Sequence, residues 1–273
     1  ARAAPEIQPV LSWSAPLDTA FDFEFGPAWT LRKISGKLSG ENGELGLPGL
    51  YAEPRHLDFV GFDIAYEAAT DQLAISSLNL HEGKIKAVGE IAVRNITKVP
   101  TVSMRASTRD FPGDRLKHYW PPDLGIDARN WVLSNLEGGT VPKANVDLEV
   151  SFDPSRPNPI VVTRLIGGID FRDVTGHYFR PLPPATRIDG RAEFDRTKFD
   201  IKIDSARLNE LWIEKSRVRL VNLDTNQEKA EIDAVVRGPV PSALAILNHE
   251  TLDLGRLIKL DTKSVTGLAG TRL

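Results

Sequence analysis

Short stretches in which apolar and charged residues alternate recur along the chain. Phe21-Asp22-Phe23-Glu24-Phe25 is the first, and Val146-Asp147-Leu148-Glu149-Val150-Ser151-Phe152 follows. Phe199-Asp200-Ile201-Lys202-Ile203-Asp204 and Ala230-Glu231-Ile232-Asp233-Ala234 repeat the pattern later. Side chains on a strand point alternately to opposite faces, so each stretch builds one apolar and one charged face. The pattern predicts a mainly β protein with few helices to cover the apolar side.

Strand-like stretches fill residues 10–109. Leu57–Tyr66 puts Val60, Phe62, Ile64 and Tyr66 on one face. Leu73–Leu80 follows a turn at Thr70-Asp71-Gln72, and His81-Glu82-Gly83 leads into Lys84–Val93. That last strand aligns Ile85, Ala87, Gly89, Ile91 and Val93. The connections are short, which predicts antiparallel hairpins and meanders.

Between Phe111 and Gly139 the alternation stops. Asp114–Tyr119 predicts a helical turn ended by Trp120-Pro121-Pro122, since proline cannot continue a helix. Asp127 is a candidate N-cap for a helix with Ala128, Trp131, Val132, Asn135 and Leu136 on one face, stopped by Gly138-Gly139. Trp120 and Trp131 are expected to pack this insert onto the sheet. Strands resume at Val141 and run to Arg237, and Gly167 is expected to permit a bulge or bend. Gly238-Pro239-Val240-Pro241 then opens a second helix with Val240, Ala243, Leu244 and Leu247 on one side.

These readings divide the chain into a first β-sheet segment (1–110), a helical insert (111–139, helical over about 112–137), a second β-sheet segment (140–238) and a final part (239–273). The final part holds the short helix at about 240–248 and the start of a further β-repeat. A weak repeat relates Leu57–Val93 to Leu165–Leu220. The ending resembles the start of another unit, so the chain is expected to be a segment of a longer protein.

Composition narrows the function classes. With a net charge of -3 and both signs interspersed, the chain has no basic excess for nucleic acid. Cysteine is absent, which excludes disulfides, thiolate metal sites and a cysteine nucleophile. No apolar run approaches the roughly 20 residues that span a bilayer. The histidines His56, His81, His118, His177 and His249 show no zinc-site spacing. Most carboxylates alternate with apolar residues, as a solvated strand face does, and no Gly-x-Ser-x-Gly elbow or phosphate loop is present. The expectation is therefore no catalytic residues, no metal and no cofactor.

One segment carries a family resemblance. His118-Tyr119-Trp120-Pro121-Pro122, Ile126-Asp127-Ala128-Arg129-Asn130-Trp131-Val132 and Leu136-Glu137-Gly138-Gly139-Thr140-Val141 resemble the insert of the YhdP branch of AsmA-like bacterial proteins. Val236-Arg237-Gly238-Pro239-Val240 with Ala243-Leu244-Ala245-Ile246-Leu247 is similar to a strand-to-helix passage of the same branch. The resemblance implies a long curved antiparallel sheet forming an open apolar groove. It further implies a protein of the Gram-negative periplasm, held in the inner membrane by an anchor that this chain does not contain. The implied work is movement of phospholipids between inner and outer membranes, with acyl chains and outer-membrane components as partners.

Under that reading the candidate groove-facing, lipid-binding residues are Phe21, Phe23, Phe25, Val60, Phe62, Ile64, Ile85, Ile91, Val93, Val146, Leu148, Val150, Phe199, Ile201, Ile203 and Ile232. Alternation fits a closed β-sandwich scaffold or protein-interaction module equally well, because both architectures need one apolar face per strand.

Overall fold

The computed structural model describes residues 12–47, 51–122, 126–155, 159–225, 227–249 and 266–272. Seven strands come first: β1 (Ser12–Trp13), β2 (Leu17–Phe25), β3 (Leu31–Gly46), β4 (Arg55–Glu67), β5 (Gln72–Glu82), β6 (Ile85–Arg94) and β7 (Thr101–Pro112). A 3-10 turn at Gly113–Arg115, helix α1 (Leu116–Tyr119) and helix α2 (Ile126–Asn135) form the insert. Then come β8 (Leu136–Glu137), β9 (Thr140–Phe152), β10 (Ile160–Gly176), β11 (Ala185–Asp195), β12 (Lys198–Leu208), β13 (Leu211–Val221) and β14 (Lys229–Pro239). Helix α3 (Val240–Leu247), β15 (Leu268–Arg272) and a 3-10 turn at Pro27–Trp29 between β2 and β3 complete the described elements.

The fifteen strands follow one hydrogen-bonded order, β1-β3-β4-β5-β6-β7-β9-β10-β11-β12-β13-β14-β15, with β2 also on β3 and β8 on β10. The pairings are antiparallel between chain neighbours, as the short polar turns predict. The path does not return from β15 to β1, so the sheet is open and not closed into a barrel. The chain divides into two compact units. One comprises Ala1–Asp110, His118–Ile126 and Asn145–Leu165, the other Phe111–Lys117, Asp127–Ala144 and Ile166–Leu273.

In the first unit the buried core is Leu57, Val60 and Ile85, at the end where β4 and β6 begin. In the second it is Phe111, Leu182, Ala185, Ala192, Ala206, Leu208, Leu211 and Leu244, several of them where β12 ends, β13 begins and α3 packs on β14. Large apolar side chains elsewhere stay exposed, among them Phe23 at 56% and Ile232 at 64%.

Several strands carry one extra residue, and these bulges hold the faces in phase. β5 reads Leu73-Ala74-Ile75-Ser76-Ser77-Leu78-Asn79-Leu80, where the apolar parity flips after Ile75. The register shifts there against both neighbours, and Ser77 takes a positive φ of 54°. The inserted residue returns Leu78 and Leu80 to the face of Leu73 and Ile75. In the second unit β10 shifts between Phe171 and Val174, with Asp173 at φ 54°, and β13 between Glu214 and Arg217, with Lys215 at φ 44°. Polar side chains satisfy the backbone groups that such shifts release. Asp189 Oδ1 accepts the Asp173 N–H at 2.9 Å, and Ser216 Oγ accepts the Val235 N–H at 3.0 Å.

Three details of the insert and its surroundings differ from the sequence reading. Asp127 lies inside the first turn of α2, not ahead of it; there its charge complements the helix N-terminus. Gly138 and Gly139, at φ 62° and 71°, do not cap the helix: β8 intervenes, and the pair turns the chain from β8 into β9. Gly167 pairs in regular register with Phe194, and the nearby bulge falls at Asp173, where a polar residue can satisfy the loosened ladder.

Candidate functional site

The strand registers assemble a face in the first unit residue by residue. Phe21 and Phe23 of β2 stand opposite Gly36 and Ile34 of β3. Gly36, Leu38 and Gly40 stand opposite Ile64, Phe62 and Val60 of β4. Ile64 meets Ile75, Ile75 meets Ile91, and Ile91 meets Met104, while Leu73, Val93 and Val102 form the next row. Directly opposed residues share a side of the sheet. Phe21, Phe23, Phe25, Val60, Phe62, Ile64, Ile85, Ile91 and Val93 therefore lie on one face.

Val146, Leu148 and Val150 join the same side by elimination of their neighbours. Asp147 and Glu149 bond to Arg105 and Ser103, which alternate with Val102 and Met104. The apolar residues of β9 must then point the other way. Val60 and Ile85, each 6% exposed, are filled in as local core, while the phenylalanines of β2 are open at 40–56%.

The second unit repeats the construction. Phe199 stands between Phe194 and Leu220, Ile201 between Ala192 and Val218, and Ile203 between Gly190 and Ser216. Val218 meets Ile232 in turn. Phe199, Ile201, Ile203 and Ile232 thus share one face, and the rings of Phe194 and Phe199 stack at 5.3 Å.

The opposite faces are charged and internally paired. In the first unit Arg105 reaches Glu90 at 2.9 Å and Asp147 at 3.5 Å, and Arg164 reaches Asp147 at 3.1 Å. Hydrogen bonding from Arg164 is the main cause holding the Asp147 carboxyl below its usual range. In the second unit Arg217 grips both oxygens of Asp200, its Nε at 2.8 Å, and lowers that carboxyl likewise. Arg219 meets Glu231 at 2.7 Å, and Arg272 donates to Asp233 through Nε at 2.8 Å. Asp147, Asp200, Glu231 and Asp233, all lowered by their cationic partners, favour the ionised form, which is the wrong state for a general acid. Among the described residues no group of three or more His, Asp or Glu side chains could hold a metal ion.

The insert is fastened by residues that the sequence reading did not single out. The Arg55 guanidinium lies 4.0 Å from the Tyr119 ring centroid and 5.4 Å from that of Tyr51. It donates to the His118 carbonyl and, at 3.1 Å, to Glu82, whose carboxylate also accepts from the Tyr119 hydroxyl. Tyr51 donates to the Tyr119 carbonyl at 2.6 Å, and burial raises its phenol pKa against the pull of Arg55. In the second unit Arg180 donates to Asn135 Oδ1 and the Ser134 carbonyl, both at 2.8 Å, closing the C-terminus of α2. Trp131 is 48% exposed and α2 buries no residue, so Trp131 does not pack the insert onto the sheet. Trp120 is half-buried, and polar contacts at each end of the insert also hold it.

Ile34, Leu38, Leu73, Ile75 and Met104 belong to the apolar face although the sequence reading did not place them there. In β3 the signal is hidden because glycines occupy alternate apolar positions. In β5 the paired serines at the phase break are the signal that locates the bulge.

The motifs of the insert thus sit where the geometry needs them, with Tyr119 under Arg55 and Gly138-Gly139 at the β8–β9 turn. A family model described as YhdP protein matches residues 22–273. No curated protein and no solved structure matches the chain. The match takes in all but the first strands of the sheet, and the chain belongs to the YhdP family, bacterial envelope proteins of the AsmA-like group.

Proposed function

We propose that the chain is a non-catalytic lipid-binding segment of a periplasm-spanning envelope protein, and that acyl chains lie on its apolar faces. In the parent protein it serves the movement of phospholipids between inner and outer membranes. The observation that carries this reading is the conservation of face through the bulges. Strands whose sequence falls out of phase insert a residue and so keep their apolar side chains on the faces where Phe21, Phe23, Phe25 and Ile232 of other strands stand exposed. Exposed contiguous apolar surface is costly in water unless something apolar covers it. Each methylene of an acyl chain brought out of water contributes about 0.8 kcal/mol without a directional bond, which suits a face of aliphatic and phenylalanine side chains.

The closed-sandwich alternative loses its main support because the strand path is open. Pairing of Asp147, Asp200 and Glu231 with arginines supports a solubilising role for the charged faces.

Native mass spectrometry of the purified protein should show bound phospholipid. Photo-crosslinking side chains at Phe62, Ile91 and Ile201 should label lipid, whereas those at Asp63, Glu90 and Lys202 should not. Labelling that ignores strand parity, or protein free of lipid after gentle purification, would overturn the reading.

A further inference from the structure

The apolar face of each unit has two unlike ends. In the first unit one end is filled: Leu57, Val60 and Ile85, where β4 and β6 begin, are 4%, 6% and 6% exposed. Glu82 stands opposite Ile85 and so shares its side of the sheet. There its carboxylate takes the Arg55 guanidinium and the Tyr119 hydroxyl, and these side chains wall off the face.

The other end of that face is open. Ile34, Tyr66, Leu73, Val93 and Val102 are successive cross-strand partners, each half-buried. The next row outward is polar, with Lys33, Glu67, Gln72, Arg94 and Thr101, and turns follow it. The second unit has the same asymmetry. Phe194, Phe199, Leu220 and Ala230 are partners beside the turns, and none is buried. At the far end of β12 and the start of β13, Leu208 and Leu211 are 8% and 3% exposed, and Leu244 of α3 is buried.

These ends decide how a phospholipid fits. Acyl ends suit the filled, apolar end, whereas a charged headgroup needs water or a free cation. Arg55 is no such cation. Its side chain is 16% exposed and already serves Glu82 and the His118 carbonyl, so a phosphate there would meet the Glu82 carboxylate. With chains laid across the strands, the headgroup would rest over isoleucine and valine, which is costly. At the row of Tyr66 the apolar surface gives way to polar groups, and Tyr66 is the member of that row with an apolar body and a polar tip. The run from Val93 to Ile85 rises about 27 Å. That exceeds the roughly 15 Å an acyl chain spans in half of a bilayer core.

We infer that a phospholipid lies along the strands of each face, its acyl ends toward the walled end and its headgroup at the turn end. The headgroup then stands beside Tyr66 in the first unit and Phe199 in the second. The inference rests on the lipid reading and adds to it the direction of the lipid.

The test loads the protein with two photoactivatable phosphatidylethanolamines, one with a diazirine at an acyl end and one with a diazirine on the headgroup, and maps the labelled peptides. The acyl-end probe should favour residues 57–60 and 80–85 in the first unit and 206–211 in the second. The headgroup probe should favour residues 66–73 and 93–102, and 194–199. Labelling of both ends alike by both probes, or the reverse assignment, would overturn the inference while leaving the lipid reading in place. Labelling of neither face by either probe would overturn both.

Discussion

The ring of Phe21 lies over Gly36, its cross-strand partner, so closely that a Cβ built on the glycine would stand 2.3 Å from Phe21 Cδ1. The same Cβ would stand 2.7 Å from the Ala20 carbonyl oxygen, which is backbone and cannot swing away. An aromatic ring over a glycine covers the backbone that the missing side chain leaves bare. Gly190 repeats the arrangement in the second unit, where Phe171 is the partner and its Cζ would be 2.9 Å from an added Cβ. Gly36→Val should therefore force β2 away from β3 and cost about 1–3 kcal/mol, read as a lower urea midpoint. Phe21→Leu should lose much less, because a smaller side chain can still lie over the glycine.

Ser216 is 4% exposed and sits beside the positive-φ residue Lys215. Its hydroxyl accepts the Val235 N–H at 3.0 Å and donates to the Glu214 carbonyl at 3.1 Å, replacing ladder bonds that the bulge interrupts. Ser216→Ala would leave that N–H without its partner and should destabilise by about 1–3 kcal/mol in thermal or denaturant unfolding. Lys215→Gly should do the reverse on a smaller scale, because glycine takes positive φ without the steric cost.

Strand identity was legible from period-two alternation wherever it ran undisturbed, as in β6, β9 and residues 198–203 of β12. Alternation cannot show a phase break as such, and β5 illustrates why. Read strictly, Leu78 and Leu80 would fall on the polar side, and only the pairing of Ser76-Ser77 hints that a residue is to be skipped. β3 was hard to read for a different reason, since Gly36 and Gly40 stand where apolar side chains would be counted. The Arg55–Glu82–Tyr119 cluster joins residues 27 to 64 positions apart, and no local pattern announces such a meeting.

The arginine–carboxylate pairs set the acid response. Hydrogen bonding from Arg217 holds Asp200 below its ordinary pKa, and Asp195 is lowered chiefly by the Thr197 hydroxyl and N–H. Arg272 lowers Asp233, and Lys229 with Arg219 lowers Glu231. A carboxyl whose folded pKa lies below its unfolded value of about 4 stabilises the fold above that pH. The contribution is lost as pH falls through the depressed folded values. Melting temperature should therefore hold steady from neutrality to about pH 5 and drop below about pH 4. Asp200→Asn should flatten part of that drop.

Arg55 and Glu82 are only 16% and 17% exposed, so their pair is largely desolvated. Arg55→Ala would remove one cation beside Glu82, the cation over the Tyr119 ring and a donor to the His118 carbonyl. Removing one member of a mostly buried pair should cost about 2–4 kcal/mol. The local consequence should be larger than the global one, with trypsin cutting at Lys117 well before the sheet unfolds. Arg55→Lys should rescue little, because an ammonium cannot serve the carbonyl, the carboxylate and two rings from one plane.

Parity along single strands gives the sharpest check of the lipid reading. Phe23 and Ile232 are exposed on the apolar faces of their units, so a charge there should disturb folding little and acyl contact strongly. Phe23→Glu with Ile232→Glu should reduce phospholipid carried per protein to roughly half or less, with the melting temperature almost unchanged. Asp22→Asn with Asp233→Asn changes neighbouring positions on the same two strands but the opposite faces, and should leave lipid content as it was. Equal loss in both pairs would mean that lipid is held by something other than these faces.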